Sequence, residues 1–452
     1  MIGIIMFFAA LIMLLFGFPV AFTFAAVSLL FGVIAGIVEI GFDDGFDSLL
    51  EGVEEGLSMF DFMPYRIMSI MQNTILMAVP MFIFMGIILQ KTGLAEKLLE
   101  SMGFLFGEIR GGVAISTVLV GTLLAASTGV VGASVVAMGV ISLPVMMKYK
   151  YNIPLATGTI CASGTLGQII PPSIVLIILG DVFQVPVGDL FQAAVWPGLA
   201  LVAAYIIYIL VVSYFNKDMA PAIPKDPSRG TKKKQVLVAL IAIIPSLTLI
   251  ILVLGSIFAG VATPTESSAV GCIGAVLLAV LYRSFSIDMV KEAAFESVKI
   301  TSMVFGILIG ATAFSMVFTY TGGDEIVEHF MMNLPGDEKF AFILFTMLAI
   351  FVLGFFIDFV EISYIIVPIL VPIADALGIS PVWFAILIAM NLQTSFLTPP
   401  FGFSLFYLKG VVPPSVRTVD IYKGVLPFIF IQVTVLLMLV FYPEFFGIAA
   451  GQ

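Results

Sequence analysis

Apolar residues along the chain come in long runs separated by short polar interruptions. Runs able to cross a bilayer cover 1–38, 67–90, 154–180, 190–215, 236–258, 261–283, 300–320, 382–408 and 424–443. Each has at least the roughly 20 residues that a helix needs to pass a hydrocarbon core of about 30 Å. The 1–38 run contains no Asp, Glu, Lys, Arg or His. As one straight helix it would reach about 57 Å, too far for a single crossing. Gly17 and Pro19 in LLFGFPVAF mark the kink, so the run is one broken helix or two short ones.

The polar residues between runs set the orientation. The segment Asn216 to Lys234 carries six Lys or Arg against two Asp, which places it in the cytoplasm. From that anchor, 190–215 enters from outside past Asp181 and Asp189, and 154–180 starts inside near Lys148 and Lys150. Towards the C-terminus, 236–258 exits and 261–283 returns to Arg283, Lys291 and Lys299. Segment 300–320 exits to the acidic TGGDEIVEHF, and Lys409, Arg417 and Lys423 lie inside.

Two apolar stretches do not fit simple crossings. The flanks of 111–147 (Lys91, Lys97 and Arg110 before, Lys148 and Lys150 after) are all cytoplasmic, so it doubles back, as a re-entrant hairpin or as two tight crossings, with Gly121–Ser134 as its tip region. The flanks of 340–374 (Asp337, Glu338 and Asp375) are external, with Gly354–Ser363 as tip. Re-entrant backbone is stable at membrane depth only when surrounded by protein or a watery cavity.

The halves align. Each has a span, an amphipathic stretch (39–66 or 284–299), a second span, a surface stretch (91–110 or 321–339), a hairpin, a span containing Pro-Pro, and a last span. Leu143-Pro144 precedes Val371-Pro372 by 228 residues, the separation of Pro171 from Pro399. The sidedness is reversed between halves, the mark of an inverted-topology repeat. The expected organisation is a first repeat over 1–215, a basic cytoplasmic linker over 216–235, a linking span over 236–258 and a second repeat over 261–443. The fold class is an all-α polytopic membrane protein with two re-entrant helical hairpins (111–147 and 340–374) and two broken helices (154–180 and 382–408).

Composition agrees: 61% of the 452 residues are hydrophobic and 11% charged, too few charges to cover a soluble protein of this size. The net charge of −10 excludes a basic groove, and hence nucleic acid as a partner. The single histidine, His329, leaves no histidine metal cluster, and Cys161 and Cys272 lie in apolar segments as small core residues. The first residues lack the charged flank and cleavage site of a signal peptide, so the N-terminus is expected to belong to the mature fold.

The proline pairs carry the candidate chemistry. Proline removes a donor and frees a carbonyl one turn back, and lipid cannot satisfy what is freed. A kink sealed by neighbouring hydroxyls would explain one pair. Two pairs at equivalent places, each after a hydroxyl-rich strip, point instead to functional breaks. The strips are Ser163–Gln168 and Asn391–Thr398. Unwound carbonyls, hydroxyls and amides suit Na⁺, and half-helix N-termini attract an anion. One Na⁺ is expected between the tip Ser127, Thr128, Gly129 and the loop with Gly164, Thr165, Gly167 and Pro171. A second is expected between Gly354 and Asp358 of the other tip and Thr394, Ser395, Thr398 and Pro399. Substrate is expected between them near Ser163, Gln168, Ser173, Asn391 and Gln393.

Asp358 and Glu361 are the carboxylates of the second hairpin. An intramembrane acid is costly and usually functional; the plain alternative is that Asp358 caps a helix at the tip. Neither hairpin nor broken segment contains Lys or Arg, so an anionic substrate would be held by amides, hydroxyls, helix N-termini and Na⁺. Thr263 or Thr265 with Glu266 reads as the start of a scaffold helix. The acidic run Gly41–Asp61, with apolar residues at helical spacing, reads as an interfacial helix on the external side.

Several of these stretches also resemble a known family. FPVAFTFAAVS, VPMFIFMGIIL (Val79–Leu89), ASGTLGQIIPPSIVLIILGD (Ala162–Asp181), GVATPTESSAVG (Gly260–Gly271) and PPFGFSLFYLKG (Pro399–Gly410) are similar to the large, DctM-type membrane subunit of TRAP, tripartite ATP-independent periplasmic, transporters. The resemblance runs over essentially the whole chain in order. It implies an elevator-type carrier of the ion-transporter superfamily, performing Na⁺ symport of small organic acids across the bacterial inner membrane without ATP. It further implies a small four-helix membrane subunit, here a separate polypeptide, and a periplasmic substrate-binding protein. Cargoes of the family include C4-dicarboxylates and sialic acid. Ser127-Thr128 departs from the Ser-Gly frequent at that tip.

Two other readings predict different behaviour. A stand-alone Na⁺-coupled divalent-anion carrier would have the same hairpins and no binding protein. An ion channel would have a continuous polar pore rather than two related internal breaks. An enzyme is the weakest reading, since no nucleophile–base pair is evident.

Overall fold

The computed structural model describes residues 1–41, 46–224 and 232–451, without the side chains of residues 104, 127, 128, 232–235 and 238. Positions 42–45 of the acidic run and 225–231 of the basic linker lie outside the described residues. All regular elements among the described residues are helical.

The charge-free first run is two helices, α1 (Ile2–Leu15) and α2 (Val20–Ile40). Gly17 between them takes φ +83°, and Pro19, which has no N–H, stands at the N-cap of α2. Helix α1 is about 21 Å long and short of a full crossing. Phe7 of α1 and Phe24 of α2 both close on the Phe314 ring, with centroids 6.4 and 5.1 Å away.

Helix α3 (Phe46–Ser58) runs antiparallel to α2 and docks on it through glycine. A Cβ at Gly36 would lie 2.3 Å from the Gly52 carbonyl, and one at Gly56 2.5 Å from that of Gly32. Four glycines in two G-x-x-x-G spacings thus let the backbones touch. The acidic run is therefore a packed helix rather than one held only by the lipid surface, with Asp47, Glu51, Glu54 and Glu55 on its exposed side.

The expected span 67–90 is interrupted. It belongs to α4 (Met63–Gln72) and α5 (Ala78–Lys91), separated at Asn73. The Asn73 side chain accepts from the N–H groups of Ile75 and Leu76, at 2.9 and 3.4 Å, and so replaces the helical bonds there. After a 57° bend at Thr92 and Gly93 follows α6 (Leu94–Phe106). The 91–110 stretch, expected at the surface, buries Leu94, Ala95, Leu98, Leu99 and Met102.

Next come a hairpin of α7 (Gly112–Thr128) and α8 (Val131–Lys148), a broken helix of α9 (Ile153–Thr165) and α10 (Ile174–Val182), and α11 (Val187–Phe215). Helices α12 (Lys232–Phe258) and α13 (Pro264–Leu281) follow. Thr263 and Glu266 form a reciprocal capping box at the start of α13, in keeping with a scaffold helix. Helix α14 (Ile287–Tyr320) is continuous, uniting the 284–299 and 300–320 stretches that the pattern separated. A short α15 (Gly323–Met332) leads to the second hairpin: α16 (Glu338–Leu353), a one-turn α17 (Phe359–Glu361), a π-helical turn Ile362–Ile366, and α18 (Val367–Ala376). The second broken helix is α19 (Pro381–Leu397) with α20 (Phe403–Val411), and α21 (Thr418–Phe441) closes the fold.

The duplication is visible in the boundaries. Residues 131 and 359 open the returning arms of the hairpins, 148 and 376 close them, and 153 and 381 start the broken helices, each pair 228 apart. Eight described helices are long and apolar enough to cross a membrane. Large apolar side chains such as Ile207, Ile241, Ile251 and Leu252 are exposed, as lipid-facing residues are.

The chain forms two compact units, one of Met1–Leu76, Lys299–Pro381 and Gly451–Gln452, the other of Met77–Val298 and Val382–Ala450. Each draws on both repeats. The first holds α1 to α4 and the second hairpin; the second holds the first hairpin, α11, α21 and the segments of both proline breaks.

Candidate functional site

In the second unit, the first hairpin closes on the first broken helix through small residues. A Cβ at Gly121 would lie 2.7 Å from the Ser163 side chain, and one at Gly164 2.3 Å from that of Val135. One at Gly167 would lie 2.8 Å from the Ala125 carbonyl. Gly129 turns the tip with φ +61°, a conformation that favours glycine, and packs against Ile174 in the first turn of α10. Gly129, Gly164 and Gly167 are thus gathered at one junction. Ser127 and Thr128 end α7 beside them, but their side chains lie outside the described residues.

The base of this hairpin is tied down by Tyr151, whose phenol oxygen accepts from the Val113 N–H at 3.3 Å. Burial pushes this phenol up to about 12, so it stays neutral. Asn152 caps α9 by accepting from the Leu155 N–H, with Pro154 in the first turn.

Thr165 is followed by a single 3-10 turn, Leu166–Gln168, and then by Pro171 and Pro172, joined by a cis bond like Pro399 and Pro400. The prolines cannot donate to the carbonyls of Gly167 and Gln168. The Ser173 hydroxyl takes up the Gln168 carbonyl at 2.6 Å and also accepts from the Leu176 N–H as the cap of α10. At the second break, Ser404 does the same for the Phe396 carbonyl, at 2.8 Å.

The hydroxyls of both strips are turned onto their own helices. Ser163 donates to Ile160, Thr165 to Ala162, Thr394 to Met390, Ser395 to Leu392 and Thr398 to Thr394, at 2.8 to 3.0 Å. A hydroxyl whose proton is so committed offers only lone pairs to a further partner, the polarity that a cation requires. Gln168 and Gln393 are fully buried, and neither amide completes a hydrogen bond. Asn391 is buried in the same stretch. Burying an amide unpaired is costly, so Gln168 and Gln393 are set to meet something else.

In the first unit, the second hairpin carries Gly354 and Asp358. Asp358 is half-buried and caps α17, its Oδ1 accepting from the Phe359 N–H at 2.8 Å. Three residues on, Glu361 is 3% exposed and its Oε2 has no hydrogen-bond partner. The following π-helical turn is a local departure from α geometry that recurs at functional sites.

Residues 5–445 match the family described as "Tripartite ATP-independent periplasmic transporter, DctM component". The chain belongs to this family. As a DctM-type large permease subunit it is a multi-pass protein of the inner membrane. It is 31% identical over 370 residues to the C4-dicarboxylate TRAP transporter large permease protein DctM of Pseudomonas aeruginosa, covering 81% of this chain and 84% of that one. It is 28% identical over 432 residues to the sialic acid TRAP transporter large permease protein SiaM of Vibrio cholerae, covering 95% and 94%. Among solved structures, the Alcanivorax borkumensis YdaH transporter matches with a TM-score of 0.65 over 98% of this chain and 100% of that one. At 12% identity this is a likeness of fold.

Two residues of this DctM subunit escaped the sequence reading. Tyr205 of α11 and Gln432 of α21 are fully buried, and the Gln432 Nε2 donates to the Tyr205 hydroxyl at 2.8 Å and to the Thr165 hydroxyl at 3.4 Å. The available signal was a lone amide in FIFIQVTVLL, since polar residues inside membrane spans are usually functional.

Proposed function

We propose that this DctM subunit performs Na⁺-coupled secondary uptake of a small organic anion bearing a carboxylate. The cargo is delivered by a periplasmic binding protein, and a small four-helix membrane subunit completes the membrane part. The relatives' names, for C4-dicarboxylate and sialic acid transporters, support the cargo class. The two repeats, 1–215 and 261–443, lie in inverted orientation, and the hairpins and broken helices move as an elevator against the remaining helices. ATP takes no part.

The observation that carries this reading is the chemistry of the two breaks: proton-committed hydroxyls, carbonyls deprived of helical donors, and the unpartnered amides of Gln168 and Gln393, with no basic side chain among them. Uncharged oxygens suit a monovalent cation. Bound Na⁺ and the half-helix N-termini of α10 and α20 would then supply the positive field that a carboxylate needs. Na⁺ at one break would be held around Gly129, Gly164, Thr165 and Gly167, and at the other around Thr394, Ser395 and Thr398.

The test is uptake into proteoliposomes containing this chain and its small subunit, with the binding protein outside and a Na⁺ gradient imposed or collapsed. Uptake that needs both Na⁺ and the binding protein is expected. Equal uptake without the binding protein would favour a stand-alone carrier, and passive Na⁺-independent flux would return the channel.

A further inference from the structure

Three residues of α21, one turn apart, tie this helix to α9 and α11. Gly424 meets α9 backbone to backbone: a Cβ there would lie 2.0 Å from the Pro154 carbonyl, and one at Gly158 2.0 Å from the Gly424 carbonyl. One turn on, the Phe428 ring stands edge-on to both Tyr205 and Tyr208 of α11, with centroids 5.1 Å away in each case. One turn further, Gln432 reaches Tyr205 and Thr165, and all three side chains are fully buried.

The Thr165 hydroxyl is where this arrangement meets the first break. Its proton goes to the Ala162 carbonyl at 2.9 Å. Thr165 can then only accept from Gln432, so the Nε2 end of the amide faces it, at 3.4 Å. The same Nε2 donates to the Tyr205 oxygen at 2.8 Å, which fixes the amide in place. One lone pair of Thr165 is left over. A threonine within a helix has two side-chain rotamers open to it. A bond from a second helix selects one of them, and with it the direction of the remaining lone pair.

The amide does not serve stability. The Gln432 Oε1 completes no hydrogen bond although the side chain is fully buried, and a buried acceptor left unmet weakens a fold. An apolar side chain of the same length would avoid that loss. What the amide adds is an N–H that reaches Thr165 from outside its own helix.

Resting on the Na⁺-coupled reading above, we propose that Gln432, held by Tyr205, is a positioning residue that orients the Thr165 hydroxyl as a ligand for Na⁺ at the first break. Positioning of this kind governs both how tightly a cation is held and which cation is held. A ligand oxygen fixed in direction suits one ionic size, whereas a hydroxyl free to change rotamer adapts to others. Li⁺, with the same charge as Na⁺ and a smaller radius, is the probe.

The experiment measures uptake by the reconstituted complex as a function of Na⁺ and, separately, of Li⁺, with thermal unfolding in Na⁺-free detergent as the control for folding. The variants are Gln432→Met, which keeps the side-chain length and has no N–H, Tyr205→Phe/Gln432→Met, Thr165→Ala, and Thr165→Ala/Gln432→Met. Gln432→Met is expected to raise the half-activating Na⁺ concentration about two- to tenfold, the worth of one hydrogen bond in an equilibrium constant. It is also expected to narrow the difference between Na⁺ and Li⁺. Tyr205→Phe/Gln432→Met should do the same with an unfolding midpoint close to wild type, because neither partner of the 2.8 Å bond is left behind unmet. This pair decides if Gln432→Met alone folds poorly. In the Thr165→Ala background, Gln432→Met should add nothing, since it acts through that hydroxyl. A Na⁺ titration unchanged by both Gln432 variants, or a shift that adds in full to that of Thr165→Ala, overturns the proposal while leaving Na⁺ coupling standing. A wild type indifferent to Na⁺ overturns both.

Discussion

The Ser404 hydroxyl donates to the Phe396 carbonyl across the second proline break, at 2.8 Å. The carbonyl 228 residues earlier, that of Gln168, is met by Ser173 at 2.6 Å. Both carbonyls would have bonded to the N–H of a residue that is proline, Pro400 or Pro172. Removing either serine hydroxyl leaves a buried acceptor unmet, which costs about 1–3 kcal/mol. Ser173 also caps α10 through the Leu176 N–H, a further cost of about 1 kcal/mol. The expected order of thermal unfolding midpoints is wild type, Ser404→Ala, then Ser173→Ala. A Ser404→Ala variant as stable as wild type would show that the second break is sealed by another group.

The approach of α9 and α21 gives a sharper contrast. Alanine at Gly424 would set its Cβ 2.0 Å from the Pro154 carbonyl, a backbone atom that cannot rotate away. Overpacking costs about 1–3 kcal/mol and occasionally more, and a backbone clash this close belongs at the upper end. Gly410 in α20 has nothing within 4 Å of the same position, so Gly410→Ala should stay within about 0.5 kcal/mol of wild type. Yield and unfolding midpoint of the two variants, measured side by side, check this. Equal behaviour would mean that the helices separate without penalty.

What the sequence made legible was what depends on order along the chain. Charge-free runs, basic and acidic flanks and the 228-residue recurrence of Pro-Pro led to the hairpins and the broken helices with nearly correct limits. What it hid depends on contacts. A glycine says nothing of which backbone it faces, so the Gly36–Gly52 and Gly158–Gly424 approaches, and with them the docking of the acidic helix, could not be read. Asn73 ends a helix through its own side chain inside an apolar run that otherwise reads as one span. Tyr205 and Gln432 become meaningful only when α11 and α21 bring them to Thr165 from 40 and 267 residues away.

Glu361 offers a test that needs no transport. Its carboxyl is 3% exposed, and Oε2 has no hydrogen-bond partner. A buried carboxyl must either keep a costly charge or take up a proton, and an amide of the same shape does neither. In Na⁺-free buffer, Glu361→Gln is expected to raise the unfolding midpoint, and Glu361→Lys to prevent folding. A midpoint lowered by Glu361→Gln would reveal a compensating partner for the carboxyl.

Asp358 separates two roles that a single alanine variant would confuse. Its Oδ1 caps α17 by accepting from the Phe359 N–H. Asparagine keeps that acceptor and loses the charge, while alanine loses both. If the carboxylate serves the cation at the second tip, Asp358→Asn should unfold like wild type yet need about tenfold more Na⁺ for half-maximal uptake. Asp358→Ala should show the same loss of Na⁺ response and in addition be about 1 kcal/mol less stable. The measurement is Na⁺ titration of uptake beside thermal unfolding for both variants. An asparagine variant with an unchanged Na⁺ titration would confine Asp358 to shaping the tip, because the only property removed would be the charge.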